Sequence, residues 1–141
     1  MMKSPVIADS SGFVSLVSAT DSNHARALAG SVSIQEQHLP FIMPGEIVTE
    51  TVNVLGKKVS HDIAVRVGKS ILESPDFTIV ETSTTIRKEA LVKFSSQPAS
   101  VSFTDCLVMA TADAYNTKFV FGYDEVFRKN GYIRFGLDDQ K

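Results

Sequence analysis

The sequence is divided by short, almost wholly apolar runs that alternate with longer stretches of helical character. Four of these runs lie at residues 5–8, 41–43, 77–80 and 119–121, and a possible fifth lies at residues 132–135. Runs this short and this apolar are typical of strands covered on both faces, as in parallel sheets. Strands that alternate with helices indicate crossover connections. The sequence therefore predicts a three-layer α/β/α sandwich around a mainly parallel central sheet of about five strands.

Caps and periodicity predict the helices between these runs. The third helix should span Gly45–Leu55 and end at Gly56, and Ser60 should cap the helix that follows. The core-facing positions of the third helix recur at i, i+3, i+4 and i+7, namely Val48, Thr51, Val52 and Leu55. The clearest helix spans Ser102–Tyr115, and its apolar stripe is so broad that we expect burial on most of its circumference.

Length and composition limit the possible classes of protein. A chain of 141 residues predicts a single domain, here with a core at about 5–135 and a frayed tail at 136–141 that contains Asp138 and Asp139. The longest unbroken apolar run, Cys106–Ala110, is too short to cross a membrane. Cys106 is the only cysteine, which excludes an internal disulfide and a cysteine zinc site and favours a reducing, cytoplasmic setting. The net charge of −2 argues against nonspecific coating of nucleic acid but permits a local basic rim.

Acidic residues occur where the predicted fold makes them costly. Asp9 directly follows the first strand and Asp124 follows the fourth, so both should lie at the carboxyl edge of the sheet. Glu50 lies inside the third helix and Asp105 in the first turn of the Ser102–Tyr115 helix. Each residue alone has an ordinary explanation: a turn or cap for Asp9 and Asp124, a solvated helix position for Glu50, and a favourable helix dipole for Asp105.

Convergence of these acids would change that interpretation. Carboxylates held within a few ångströms repel one another and take up protons unless a cation neutralises them. A set of oxygen ligands without His or Cys suits Mg²⁺ or Mn²⁺ better than Zn²⁺.

Four segments, in this order, carry a resemblance to a known family. They are Ile7–Ser11, Ile47–Leu55, Ser102–Leu107 and Phe121–Phe127. Together they resemble the four acidic motifs of the PIN-domain ribonucleases, and the length and layout resemble the VapC-type toxins of toxin–antitoxin pairs. The resemblance covers about Val6 to Phe135. One position departs from it, because Gly122 stands where the family often has a Thr two residues before the last Asp.

The resemblance implies roles for individual residues. The catalytic, metal-binding acids would be Asp9, Glu50, Asp105 and Asp124. Ser11 and Thr104 would supply hydroxyls around the metal or the scissile phosphate. Glu46 is a second acid on the helix of Glu50, but the register of Glu50 matches the motif better.

The resemblance also implies a function. The chain would be a Mg²⁺- or Mn²⁺-dependent endoribonuclease, the toxin of a toxin–antitoxin pair, with RNA as substrate, a cognate antitoxin as partner and a homodimer as its assembly. A cationic track for RNA is predicted at Lys57, Lys58 and Arg128. Further candidates for that track are Arg66, Lys69, Lys129 and Arg134.

Other functions remain open on the sequence. A housekeeping RNA-processing nuclease would carry the same acids, and a catalytically silent interaction module could retain them. A phosphoacceptor or phosphatase would use Asp9 as its nucleophile or acceptor but needs an activating Lys after a late strand, whereas Lys118 precedes its strand.

Overall fold

A computed structural model describes residues 3–140, which form five strands and seven helices. The strands are β1 (Val6–Ala8), β2 (Phe41–Pro44), β3 (Thr78–Val80), β4 (Phe119–Phe121) and β5 (Ile133–Arg134). The helices are α1 (Ser10–Val17), α2 (His24–Glu36), α3 (Gly45–Lys58), α4 (His61–Glu73), α5 (Thr84–Ser95), α6 (Phe103–Ala114) and α7 (Glu125–Lys129).

All the strand pairings are parallel, and the strand order is β3-β2-β1-β4-β5. The predicted α/β/α sandwich with a five-stranded sheet is thereby confirmed. The chain builds one half of the sheet outward from β1 and then returns to place β4 on the other side of β1. The β1–β4 junction is thus the point where the strand order reverses, and such points form crevices at the carboxyl ends of strands.

Apolar packing on both faces of the sheet fixes its position. All three residues of β1 have no exposed surface, and seven consecutive residues of α6, from Cys106 to Ala112, are buried. An aromatic cluster packs over one region of the sheet through edge-on and tilted ring contacts, and its members are Phe13, Phe41, Phe77 and Phe121. Burial of α6 on most of its circumference is therefore confirmed.

The predicted end of α3 at Gly56 is wrong, because the helix continues to Lys58. Gly56 does not adopt the left-handed conformation of a C-terminal glycine cap. A Cβ at Gly56 would lie 3.7 Å from the Cβ of Ala64 on α4, so small residues meet where the two helices approach. The predicted cap of α4 is confirmed, since the Ser60 hydroxyl accepts a hydrogen bond from the Ile63 N–H at 3.0 Å.

The described part of the predicted frayed tail is ordered by an ion pair. The Arg134 guanidinium donates to both carboxylate oxygens of Asp138, each at 2.9 Å, and the side chain of Arg134 is only 9% exposed. The side chain of Leu137 packs against the core. Sequence alone did not reveal that Asp138 has a buried cationic partner. Arg134 is for the same reason unsuited to the RNA contact suggested for it.

Within residues 3–140, none of the helices has the length and apolar character needed to cross a membrane.

Candidate active site

The candidate site lies where β1 and β4 end side by side. Asp9 follows β1 directly, and its N–H donates to the carbonyl of Phe121, the last residue of β4, at 3.0 Å. Asp124 lies three residues beyond Phe121 and precedes α7. The two acids that follow strands therefore share the carboxyl edge of the sheet, as their positions in the sequence predicted.

Asp9 is a buried carboxylate that also caps a helix. Its Oδ2 accepts hydrogen bonds from the N–H of Ser11 at 3.2 Å and from the Ser11 hydroxyl at 2.5 Å, which caps α1. The residue is 2% exposed. Burial raises the pKa of Asp9 to about 7, and repulsion from Asp124 and Asp105 acts in the same direction, while the Ser11 hydrogen bonds oppose it. A group with this pKa is only about half ionised at neutral pH unless a cation neutralises the site.

Glu50 supplies a second carboxylate from α3. The residue is partly buried, and its Oε2 is buried with no hydrogen-bond partner among the described residues. Burial raises the pKa of Glu50, and repulsion from Asp105 and Asp124 adds to that effect, while a hydrogen bond from the Ser10 side chain opposes it. A buried carboxylate oxygen without a partner is costly, so it calls for a ligand that the described residues do not supply.

Asp105 and Asp124 complete the set with different local contacts. Asp105 belongs to a capping box: its Oδ2 accepts from the Ser102 N–H at 3.2 Å, while its own N–H donates to the Ser102 hydroxyl at 3.0 Å. Asp124 occupies the N-cap position of α7, but its side chain makes no capping hydrogen bond. Burial and then repulsion from Asp105 raise the pKa of Asp124, against the opposing charges of Lys58 and Arg134.

The four acids therefore form one electrostatic neighbourhood, in which Asp105 and Asp124 raise the pKa of Asp9 and Glu50. In the described part of the chain, no group of three His, Cys, Asp or Glu side chains is arranged so that it could hold a metal ion. The donors nevertheless fit a hard divalent cation, because they are all oxygens and the Oε2 of Glu50 is buried without a partner.

Ser11 connects the two strand ends. Its hydroxyl donates to Asp9 and accepts from the Tyr123 N–H at 3.1 Å, so one side chain holds both the carboxylate of Asp9 and the loop that carries Asp124. Sequence reasoning assigned this hydroxyl to the metal or the phosphate, and the observed contacts give it a positioning role. Thr104 is half-buried in the first turn of α6 beside Asp105, and its assignment stays a prediction.

Gly122 departs from the family motif because there is no space for a side chain. A Cβ at this position would lie 2.8 Å from the Cβ of Asp9 and 2.9 Å from the Ser11 hydroxyl oxygen, distances that real Cβ atoms essentially never show. Gly122 therefore allows β4 to end against Asp9 and Ser11. The absence of a Thr here follows from that close approach.

Glu46, the second acid on α3, is neutralised by neighbours outside this cluster. Its Oε1 accepts from the Thr82 hydroxyl at 2.6 Å, and its Oε2 lies 2.6 Å from a guanidinium nitrogen of Arg87. Although burial acts to raise it, the pKa of Glu46 is lowered by these two partners. Glu50, which lacks such a partner on Oε2, is the better candidate, in agreement with the sequence register.

The three predicted RNA-binding cations differ in how close they lie to the acids and in whether they already pair with another carboxylate. Lys58 lines a cavity of about 310 Å³ together with Glu50 and Asp124, and its charge lowers the pKa of Asp124. Lys57 is exposed on the same last turn of α3. Arg128 forms an ion pair with Glu125 at 2.5 Å, which reduces its availability to a phosphate.

Sequence reasoning missed a contact that supports the loop of Asp124. Besides binding Asp138, Arg134 donates from Nη1 to the carbonyl of Tyr123 at 3.2 Å and lies 3.5 Å from a carboxylate oxygen of Glu125. The sequence offered one signal for this role of Arg134, namely the opposite charges of Arg134 and Asp138 at i and i+4. The burial of Arg134 beneath the loop had no signal in the sequence.

Comparisons with known proteins agree with this architecture. The family model of the PIN domain matches residues 6–131. The fold is similar to the crystal structure of Mycobacterium tuberculosis VapC20, a sarcin-ricin loop cleaving toxin, with a TM-score of 0.78 and 18% sequence identity over 92% of this chain and 97% of that one. At this identity the likeness shows a shared fold. A search of curated proteins found no match.

Proposed function

The chain belongs to the PIN domain family, and we propose that it is a Mg²⁺- or Mn²⁺-dependent endoribonuclease that hydrolyses phosphodiester bonds at Asp9, Glu50, Asp105 and Asp124. The observation that carries this proposal is a buried Asp9 at the joined ends of β1 and β4, with Glu50, Asp105 and Asp124 lining cavities at that edge. Without a ligand, such an arrangement is unfavourable in a folded protein. It becomes favourable when a divalent cation and a phosphate share the crevice.

The cation would be held by Asp9, Glu50 and Asp105, with Asp124 completing the site or holding a second ion. When bound, a divalent ion lowers the pKa of a water molecule and neutralises charge that develops on the phosphoryl oxygens. Ser11 keeps the Asp9 carboxylate oriented and fixes the following loop through the Tyr123 N–H.

Two further features support binding of a polyanion at this edge. Lys58 faces the cavity that contains Glu50 and Asp124, so it can contact a phosphate next to the one being cleaved. Arg134 holds the Tyr123 carbonyl from beneath and so limits motion of the loop that carries Asp124. Hydrolysis by this arrangement needs no covalent protein intermediate, so it differs from a phosphatase in which Asp9 is the nucleophile.

We further propose that the enzyme is the toxin of a toxin–antitoxin pair and acts as a homodimer controlled by a cognate antitoxin. The resemblance to VapC-type toxins and the fold shared with VapC20 support this assignment. A housekeeping RNA-processing nuclease is the alternative. Growth arrest on induced expression, relieved by co-expression of a protein encoded beside it, favours the toxin. Normal growth of cells that contain active nuclease favours the housekeeping enzyme.

The test of the nuclease is cleavage of a mixed-sequence RNA by the purified protein with Mg²⁺, Mn²⁺ or EDTA. We expect cleavage only with a divalent ion, and losses of at least ~100-fold for Asp9→Asn and Asp105→Asn. Asp62→Asn is a matched control, because Asp62 is an exposed acid on α4 that pairs with Arg66 at 3.2 Å. Near-normal cleavage by Asp9→Asn or Asp105→Asn would overturn the assignment. A wild-type protein that binds Mn²⁺ but cleaves no RNA would favour the silent interaction module.

A further inference from the structure

A second cavity adjoins the candidate site and shares Asp124 with the cavity of Lys58. It has a volume of about 410 Å³, and its walls come from the loop between α5 and α6 and from α7. Asp105 and Asp124 form one part of its lining, and Gln97, Lys129 and Asn130 form another. Because Asp124 lines both cavities, the two adjoin at this carboxylate. An extended polymer bound at the acids would therefore have room in both cavities.

The second cavity carries a paired set of amides, Gln97 and Asn130. The Nε2 of Gln97 donates to Oδ1 of Asn130 at 2.9 Å, and Nδ2 of Asn130 donates to Oε1 of Gln97 at 3.1 Å. The same Nδ2 donates to the carbonyl of Val126 at 2.8 Å. A carbonyl can only accept, so this contact fixes which end of the Asn130 amide is nitrogen and thereby fixes the orientation of Gln97.

The pairing leaves a free N–H donor on Gln97 only, while Asn130 keeps no more than one acceptor lone pair on Oδ1. Both N–H groups of Asn130 are used, by Gln97 and by Val126. Gln97 uses one of its two N–H groups and one of its two carbonyl lone pairs, so it keeps one donor and one acceptor. Asn130 thus acts as a support, and Gln97 presents an oriented polar edge.

The charges of the cavity indicate which part of a nucleotide it would accept. Of its charged lining, Asp105 and Asp124 belong to the proposed metal site and Glu125 pairs with Arg128 and Arg134, so the cavity offers a phosphate little beyond Lys129 and suits a neutral group better. A nucleobase is neutral, has flat apolar faces that can contact Val101 and Val126, and carries donors and acceptors on its edge. Lys129 can contact the phosphate that follows the base.

We propose that this cavity binds one nucleobase of the RNA substrate beside the scissile phosphate, and that Gln97, oriented by Asn130, contacts the edge of that base and determines which sequence is cut. The inference rests on the proposed function for its substrate class. It adds a specificity-determining residue outside the four acids.

The first experiment compares cleavage of a random-sequence RNA library by the wild type, Gln97→Ala and Gln97→Glu, with the cut sites read by sequencing. We expect the wild type to prefer one base at a position adjacent to the cut. Gln97→Ala should reduce that preference ~10-fold or more, and Gln97→Glu, which removes the donor, should change which base is preferred. Gln35→Ala is the control, since Gln35 is an exposed amide on α2 that lines a different cavity. Thermal unfolding establishes that each variant is folded.

A binding measurement separates this inference from the nuclease proposal. Fluorescence anisotropy in EDTA, where metal-dependent turnover is blocked, measures the affinity for short RNAs that differ at one base. A base preference that Gln97→Ala removes supports the inference even if the wild type cleaves nothing. Base preferences that are equal in the wild type and Gln97→Ala, in cleavage or in binding, overturn the inference while leaving the four-acid site intact. A wild type without any base preference overturns it as well.

Discussion

Replacing Asp9 by Asn should stabilise the metal-free protein at neutral and alkaline pH, although it should abolish cleavage. Asp9 is 2% exposed, and its pKa is raised from 3.8 to about 7 by burial and by the neighbouring acids. The folded state therefore binds a proton more tightly at this group than the unfolded state does. Its stability is highest below the unfolded pKa of 3.8 and falls as the pH rises toward the folded pKa of about 7.

The size of the effect follows from the difference between the two pKa values. Each pKa unit corresponds to about 1.4 kcal/mol, so the penalty of ionising Asp9 grows from about 1.5 kcal/mol at pH 5 to about 4 kcal/mol at pH 8. Asn is uncharged, similar in size, and retains an oxygen that can accept from Ser11. Asp9→Asn should therefore remove the part of the pH dependence that Asp9 causes.

The assay is urea unfolding of both proteins in EDTA from pH 5 to pH 8. The expected result is a free energy of unfolding that is higher for Asp9→Asn, with a margin that widens by about 2.5 kcal/mol across this range. Saturating Mg²⁺ should raise the stability of the wild type and have a much smaller effect on the variant. Asp62→Asn, at an exposed ion pair on α4, should show no such widening. A margin that stays constant with pH would refute the assignment of Asp9 as the buried acid whose ionisation destabilises the fold.

Three further predictions concern the surroundings of the site. Asp138→Asn should cost about 3 kcal/mol of unfolding free energy in chemical denaturation, because it removes the closest charge partner of the buried Arg134 and leaves only the longer contact with Glu125 at 3.5 Å, whereas a loss below about 0.5 kcal/mol would contradict that role. Gly122→Ala should reduce cleavage at least ~10-fold and lower the melting temperature, since its Cβ would clash with Asp9 at 2.8 Å; wild-type values for both would contradict the steric argument. Lys58→Gln should weaken RNA binding and reduce the slope of log affinity against log salt by about 1, and an unchanged slope would exclude a phosphate contact.

The fold was predictable because its strands appear in the sequence as short, continuous apolar runs. The apolar runs that become β1, β2 and β4 are too short and too continuous for amphipathic helices, and burial on both faces requires the parallel arrangement that the structure has. The end of α3 was less predictable. A glycine ends a helix only when the chain adopts a left-handed conformation there, and Gly56 is instead the place where Ala64 approaches.

The candidate site was predictable only in part. Acids that follow parallel strands must emerge at one edge of the sheet, and this rule predicts that Asp9 lies near Asp124. The clash that forbids a side chain at Gly122 depends on a distance across two strands, and no local pattern encodes it. The same holds for Arg134, whose contact with the Tyr123 carbonyl is made through burial beneath a loop.

The most direct test of the central proposal is a crystal structure of the wild-type protein soaked in Mn²⁺, with the anomalous signal of the ion recorded. We expect an anomalous peak between Asp9, Glu50 and Asp105, with carboxylate oxygens at about 2.0–2.6 Å, the range of divalent ions bound by oxygen ligands. The peak should be absent from Asp9→Asn crystals soaked in the same way. An ordered wild-type crystal in which these three carboxylates point apart with no ion between them would contradict the proposal.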